Sequence, residues 1–166
     1  MTALFSLSCM GQKVDNSTVA VPVLGNYLGT WYEIARFDHI FERGMTYATA
    51  RYSLMEDGKI RVTNSGIKDA KIKTSIGKAK LTDTSGRLRV SFFGPFYSDY
   101  RVMMLSDDYK YALVGSKSPN YLWILSRTPD VPDEILENII SEARSRGYNT
   151  NKLIWVEQDY PGTHWY

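Results

Sequence analysis

Gly29-Thr-Trp-Tyr-Glu-Ile-Ala-Arg36 is the stretch on which the fold of this chain turns. It sets a tryptophan two residues after a glycine where a first strand begins, and a succession of short strands comes after it. Thr46 to Met55 alternates, with Ala48, Ala50, Tyr52 and Leu54 on one face and Tyr47, Thr49, Arg51 and Ser53 on the other. Glu56-Asp57-Gly58 is a hairpin turn signal. Lys59 to Ser65 returns with Ile60 and Val62 in the apolar phase, and Asn64 falls on that same face.

Lys73 to Thr82 is next, with Lys78 and Lys80 opposite Ala79 and Leu81, and Ser85-Gly86 turns the chain. Arg87 to Phe93 places Leu88, Val90 and Phe92 against Arg87, Arg89 and Ser91, and Gly94-Pro95 breaks it. Tyr100 to Leu105, Tyr109 to Gly115 and Tyr121 to Ser126 complete eight strands counted from Trp31. Short strands at regular spacing with turns between them predict an antiparallel sandwich or barrel.

One helix comes next, over about 132–146. Pro132 suits a first turn, Asp133 and Glu134 complement its positive end, and Ile135, Leu136, Ile139, Ile140 and Ala143 form an apolar stripe. Arg144 and Arg146 occupy the last turn and Gly147 can cap it. The stripe is expected to pack on the outside of the barrel, and Leu153-Ile-Trp-Val156 reads as a short ninth strand on an edge.

Composition bounds the rest. At 166 residues the chain is long enough for one domain with a full core. Twenty basic against eighteen acidic residues leave a net charge of +2, which argues against nucleic acid as a partner. The 12 Tyr and 4 Trp need an interior wider than an ordinary core. One cysteine, Cys9, excludes an internal disulfide, and two histidines, His39 and His164, add little metal-binding capacity, so neither a metal nor another cofactor is expected. No run reaches the length of a transmembrane helix.

Met1-Thr-Ala-Leu-Phe-Ser-Leu-Ser8 before Cys9 is apolar and rich in small residues, and Gly11 to Thr18 is polar. This resembles the tail of a bacterial lipoprotein signal that would leave Cys9 lipidated, although the positive start and full apolar stretch of a secretory signal are incomplete. An unmodified thiol on a loose terminus is the alternative. Residues 1–24 are therefore set apart as a signal-like or linker segment, 25–157 as the barrel, and 158–166 as a tail.

Gly29-x-Trp31, Asp108-Tyr109 opening a strand, and Arg127 ending another just before a helix resemble the three short motifs of the lipocalin family. Leu28 to Phe37, Tyr52 to Ile60, Phe92 to Tyr97 and Tyr121 to Pro129 are similar to the bacterial outer-membrane branch and to apolipoprotein D. The resemblance covers roughly residues 25–157. It implies an all-β fold: an eight-stranded antiparallel up-and-down barrel, closed at one end, with one flanking helix. Trp31 would form the floor with the Arg127 guanidinium across its indole. Gly29, Trp31, Asp108, Tyr109 and Arg127 are then structural.

Ligand contacts are expected from inward positions higher in the barrel. Alternation nominates Tyr52, Val62, Asn64, Phe92, Tyr100, Val102 and Tyr111 together with Met104, Leu113, Tyr121 and Trp123. Tyr52, Asn64 and Trp123 match pocket positions in apolipoprotein D. A buried asparagine must be hydrogen-bonded or costs a few kcal/mol, so Asn64 is either a satisfied core residue or a ligand contact.

The resemblance implies a non-catalytic carrier or scavenger of a lipophilic ligand, a fatty acid or lysophospholipid, in the cell envelope as an outer-membrane lipoprotein or in the periplasm. Its bacterial relatives suggest a homodimer. Lys68, Lys71, Lys73, Lys78 and Lys80 form a basic fringe that is either a plain solvated edge or a surface for headgroups. An enzyme acting on a lipophilic substrate is one alternative, though the chain has no Gly-x-Ser-x-Gly elbow and no evident nucleophile and base pair. A haem or tetrapyrrole carrier is another, with His39, in the loop after the first strand, as axial ligand.

Overall fold

The computed structural model describes residues 13–159. The lipidation candidate Cys9 lies outside them, as does His164. A short helix α1 (Leu24–Tyr27) precedes eight strands: β1 (Gly29–Phe37), β2 (Thr46–Leu54), β3 (Ile60–Lys68), β4 (Lys71–Leu81), β5 (Arg87–Phe93), β6 (Phe96–Leu105), β7 (Tyr111–Gly115) and β8 (Leu122–Ser126). Helix α2 (Asp133–Ser145) and strand β9 (Leu153–Trp155) come after them.

Each strand from β2 to β8 pairs antiparallel with the next, and β1 pairs with both β8 and β2, so the sheet closes into an eight-stranded barrel. Gly29 to Tyr32 holds β2 in register from Gly29↔Tyr52 to Tyr32↔Thr49. Beyond that point β9 takes the freed edge of β1, from Ala35↔Trp155 to Phe37↔Leu153. One end of the barrel carries the β1–β2, β3–β4, β5–β6 and β7–β8 loops, the end at which the family resemblance places the mouth. The opposite end is the floor.

Two apolar clusters divide the core. Trp31, Ala50, Tyr52, Ile60, Val62, Ala79, Leu88, Val102, Ala112, Val114 and Leu125 fill the barrel interior. Ile34, Met103, Leu113, Leu122 and Ile124 form the second cluster with Ile139 and Ala143 of α2, so the apolar stripe of the helix covers one outer wall. The helix ends as its sequence indicates. Gly147 N–H donates to the Arg144 carbonyl and Tyr148 N–H to the Ala143 carbonyl, the paired bonds of a Schellman cap.

Residues 13–23, set apart as linker, are laid along the outside of the barrel. Asp15 N–H donates to the Arg146 carbonyl, Asn16 Nδ2 to the Ser116 and Lys117 carbonyls, and Val19 N–H to the Val102 carbonyl. Arg101 Nη1 donates back to Asn16 Oδ1 at 2.7 Å. The strap thus runs from the mouth end, beside the β7–β8 loop, down to the floor.

Candidate functional site

The floor is built around Trp31, which is fully buried and donates from Nε1 to the Tyr27 carbonyl at 2.8 Å. The Arg127 guanidinium lies 3.8 Å from the indole ring centre. It also donates to the carbonyls of Thr30, Asn26, Tyr27, Leu28 and Tyr109. These include the carbonyls that α1 leaves free at its C-terminal end, where a cation is favoured. Gly29 is required here. Its φ is +97°, and a Cβ at this position would stand 3.3 Å from Arg127 Nη1.

Asp108 and Tyr109 lie in the turn ahead of β7 and do not open the strand itself. Asp108 Oδ1 accepts from Ser106 Oγ and Lys110 N–H, while the Tyr109 hydroxyl accepts from Val23 N–H. The five residues matched to the family motifs therefore tie the floor together, apart from the upper interior.

Above Trp31 sits a chain of phenols. The Tyr27 and Tyr100 hydroxyls are 2.6 Å apart, and those of Tyr52 and Tyr100 are 3.0 Å apart. Burial pushes all three phenols above the ordinary tyrosine value, so they stay neutral and act as donors as well as acceptors. Tyr52 stands opposite Gly29, at floor level rather than higher in the barrel. Val102 is fully buried at a similar depth, and Val62 is buried opposite Tyr52.

A polar cluster fills the upper interior near β1 and β8. Arg36 Nη1 approaches Glu33 Oε2 at 3.4 Å, and Arg36 Nη2 donates to the Glu42 and Met45 carbonyls at 2.6 and 3.1 Å. Glu42 Oε2 accepts from Trp123 Nε1 at 3.1 Å and lies 2.5 Å from His39 Nε2. Arg36 thus holds the β1–β2 loop from inside, and Glu42 returns that hold to β8. The His39 ring lies between Trp123, Tyr121 and Phe41, at centroid distances of 5.5, 5.7 and 6.3 Å. As a candidate axial ligand it already directs Nε2 to Glu42.

Two carboxyls in one buried site cannot both ionise cheaply. Burial, and next the neighbouring Glu42 carboxylate, raise Glu33 well above the ordinary range, and Arg36 does not offset them. Burial would also raise Glu42, but the His39 ring close against it, together with Glu33 and the hydrogen bond from Trp123, holds it below its ordinary value. Glu33 is therefore the more easily protonated carboxyl of the pair and Glu42 the more easily ionised, with Arg36 Nε 3.8 Å from Glu42 Oε2.

Between the phenols and this cluster lies Asn64, paired across the sheet with Ala50 and Ser75. Its Oδ1 is buried without a hydrogen-bond partner. Phe92 and Val90 pack against the interior cluster from β5, with Phe92 closing against Gly77. The interior thus offers an apolar wall, an unmet acceptor at Asn64 Oδ1, neutral phenols below and a charged latch above, in which the His39 ring nitrogens also lack a well-aligned hydrogen bond. Among the described residues no group of three or more His, Cys, Asp or Glu side chains is placed to hold a metal ion.

Alternation misassigns three inward positions. Tyr111 and Leu113 pack with the cluster under α2, while Ala112 and Val114 face the interior. Every residue of Tyr-Ala-Leu-Val is apolar because both faces of β7 are covered, so polarity gives no phase. Met104 also packs on the helix side, since a register shift between Val102 and Met104 reverses the phase within β6. Tyr111 is accordingly removed from the ligand candidates.

Sequence patterning also missed Glu33, Arg36 and Glu42. In a regular strand Glu33 shares a face with Trp31 and Arg36 points the other way. A shift in register between Glu33 and Ala35 leaves Ile34 and Ala35 both on the outer face and brings Arg36 inward beside Glu33. An acid and a base three apart in an otherwise apolar strand was the available signal.

Residues 23–158 match the lipocalin-like domain family. The outer membrane lipoprotein Blc of Escherichia coli K12 is 49% identical over 141 residues, 82% of this chain and 78% of that protein. Blc of Vibrio cholerae is 46% identical over 155 residues, 90% of this chain and 91% of its own. Among solved structures, insecticyanin from the tobacco hornworm matches with a TM-score of 0.73 at 21% identity, covering 89% of this chain and 86% of that one. Apocrustacyanin C1 matches at 0.71 and 17%, covering 84% and 82%. At such identities the likeness concerns the fold.

Proposed function

The chain belongs to the lipocalin family, and from that premise we propose that it is a non-catalytic carrier or scavenger of a fatty acid or lysophospholipid held inside the barrel. Its place is the cell envelope, as an outer-membrane lipoprotein anchored through Cys9, in keeping with the name of its Blc relatives.

The observation that carries this reading is Asn64. An unpartnered buried carbonyl in a packed protein costs about 1–3 kcal/mol, which a ligand hydroxyl or a protonated headgroup oxygen would recover. The acyl chain would lie against Val62, Val90 and Phe92 with Trp123 beside it, and Tyr52, Tyr100 and Val102 would form the bottom of the cup. Most of the ligand's energy would come from apolar burial, and the few polar groups would set its orientation.

Titration with a fluorescent fatty acid, followed by competition with lysophospholipid, tests the proposal. Saturation near one ligand per chain, with competitive displacement, is the expected result. Absence of saturable binding would overturn it.

A further inference from the structure

Among the described residues, eleven large apolar side chains are left exposed, and six of them lie at the mouth end: Ile40, Phe41, Ile72, Ile76, Phe93 and Phe96. They come from three separate loops and their flanking strands. Phe93 and Phe96 pair across the β5–β6 hairpin and are 72% and 78% exposed. Ile72 is 79% exposed beside the β3–β4 turn, and Ile40 and Phe41 are each 71% exposed on the β1–β2 loop. Water-exposed apolar tips gathered at one end need an apolar partner.

Positive charge accompanies them. Lys68 and Lys71 stand directly opposite each other across the β3–β4 hairpin, with Lys73 two residues on. Like charges in register repel, and among the described residues none of these lysines makes an ion pair with a carboxylate. The strap adds a direction. Asn16 is fixed to the β7–β8 loop at this same end, and Cys9 is four residues before Lys13, a reach of at most about 14 Å.

We propose that the mouth end of the barrel docks on an anionic phospholipid bilayer, with the apolar tips in the interface and Lys68, Lys71 and Lys73 on the headgroup phosphates. The opening then faces the lipid phase from which a ligand would enter. Anchoring through Cys9 rests on the lipoprotein reading above. The tips and lysines do not need it.

The test uses the full chain as Cys9→Ser, which carries no acyl group, in flotation with vesicles of phosphatidylglycerol and phosphatidylethanolamine or of phosphatidylcholine alone. The protein is expected to float with the anionic vesicles, at least tenfold less with phosphatidylcholine, and less in high salt. Phe93→Ser with Phe96→Ser, and separately Lys68→Glu with Lys71→Glu, should each lower partitioning at least tenfold while keeping the melting temperature and the fluorescent fatty acid affinity in solution.

Failure of the unmutated face to float, or unchanged flotation of both variants, would overturn the docking. So would a sedimentation result in which these substitutions only dissolve a dimer. Because the fatty acid titration is made without vesicles, loss of cavity binding and loss of docking are read separately.

Discussion

The Arg127 guanidinium lies 3.8 Å from the centre of the Trp31 ring and at the same time collects five backbone carbonyls around it. One side chain therefore closes the floor of the barrel to α1, to β1 and to the turn before β7. A planar cation with five donors suits this role, and a lysine cannot reproduce it.

Arg127→Ala is expected to cost about 3 kcal/mol, since it removes several charge-assisted hydrogen bonds and a cation–π contact. Thermal unfolding should begin on the order of 5–10 °C lower. Arg127→Lys should recover less than half of the loss. Ligand preference, measured by fatty acid and lysophospholipid competition, should stay as in the unmodified protein.

Glu33 gives stability a pH dependence of definite sign. Its folded value is raised, so the folded state binds more protons than the unfolded one between the ordinary carboxylate range and that raised value. Its contribution is fully present below that range and is lost as the pH rises. Glu42 is lowered and acts in the opposite sense, losing its contribution as the pH falls through its folded value. Glu33→Gln mimics the protonated acid, so it should melt like the parent near pH 4 and higher than the parent at pH 8, as read by circular dichroism.

Replacing Asn64 separates a structural from a binding role. Asn64→Leu removes the unpartnered acceptor and should leave the free protein as stable as before, or about 1 kcal/mol more stable. The same variant should bind lysophospholipid at least tenfold more weakly. A variant that loses stability and keeps its affinity would place Asn64 with the core.

Gly86 holds the strap. Its φ is +76°, and a Cβ there would come within 2.2 Å of the Val19 carbonyl oxygen. Gly86→Ala should therefore cost about 2–4 kcal/mol through backbone strain and displacement of the strap. Faster hydrogen exchange at Val19 N–H, which donates to the Val102 carbonyl, would report the displacement.

Much of this was legible in the residues. Eight strands, the flanking helix with its Gly147 cap and the ninth strand on β1 all agree with alternation, turn residues and one apolar stripe. The placement of Arg127 over Trp31 was implied by the family motifs. The strands, the helix and its cap rest on local chemistry: a two-residue period, a helical period, and glycine where φ is positive.

Local patterning thus specifies the strands, the turns and the helix, because each element states its own period, whereas the closed barrel and its floor were implied by the family motifs, since Arg127 acts on Thr30 and Asn26 from 97 and 101 positions away. Which face of β7 looks inward, how a shifted register brings Glu33 and Arg36 together, and how Glu42 reaches Trp123 from a loop emerge only once the sheet has closed. Inside and outside are properties of the closed sheet and the helix packed on it. A strand covered on both sides, or one whose phase changes midway, carries no polarity contrast from which its neighbours could be read.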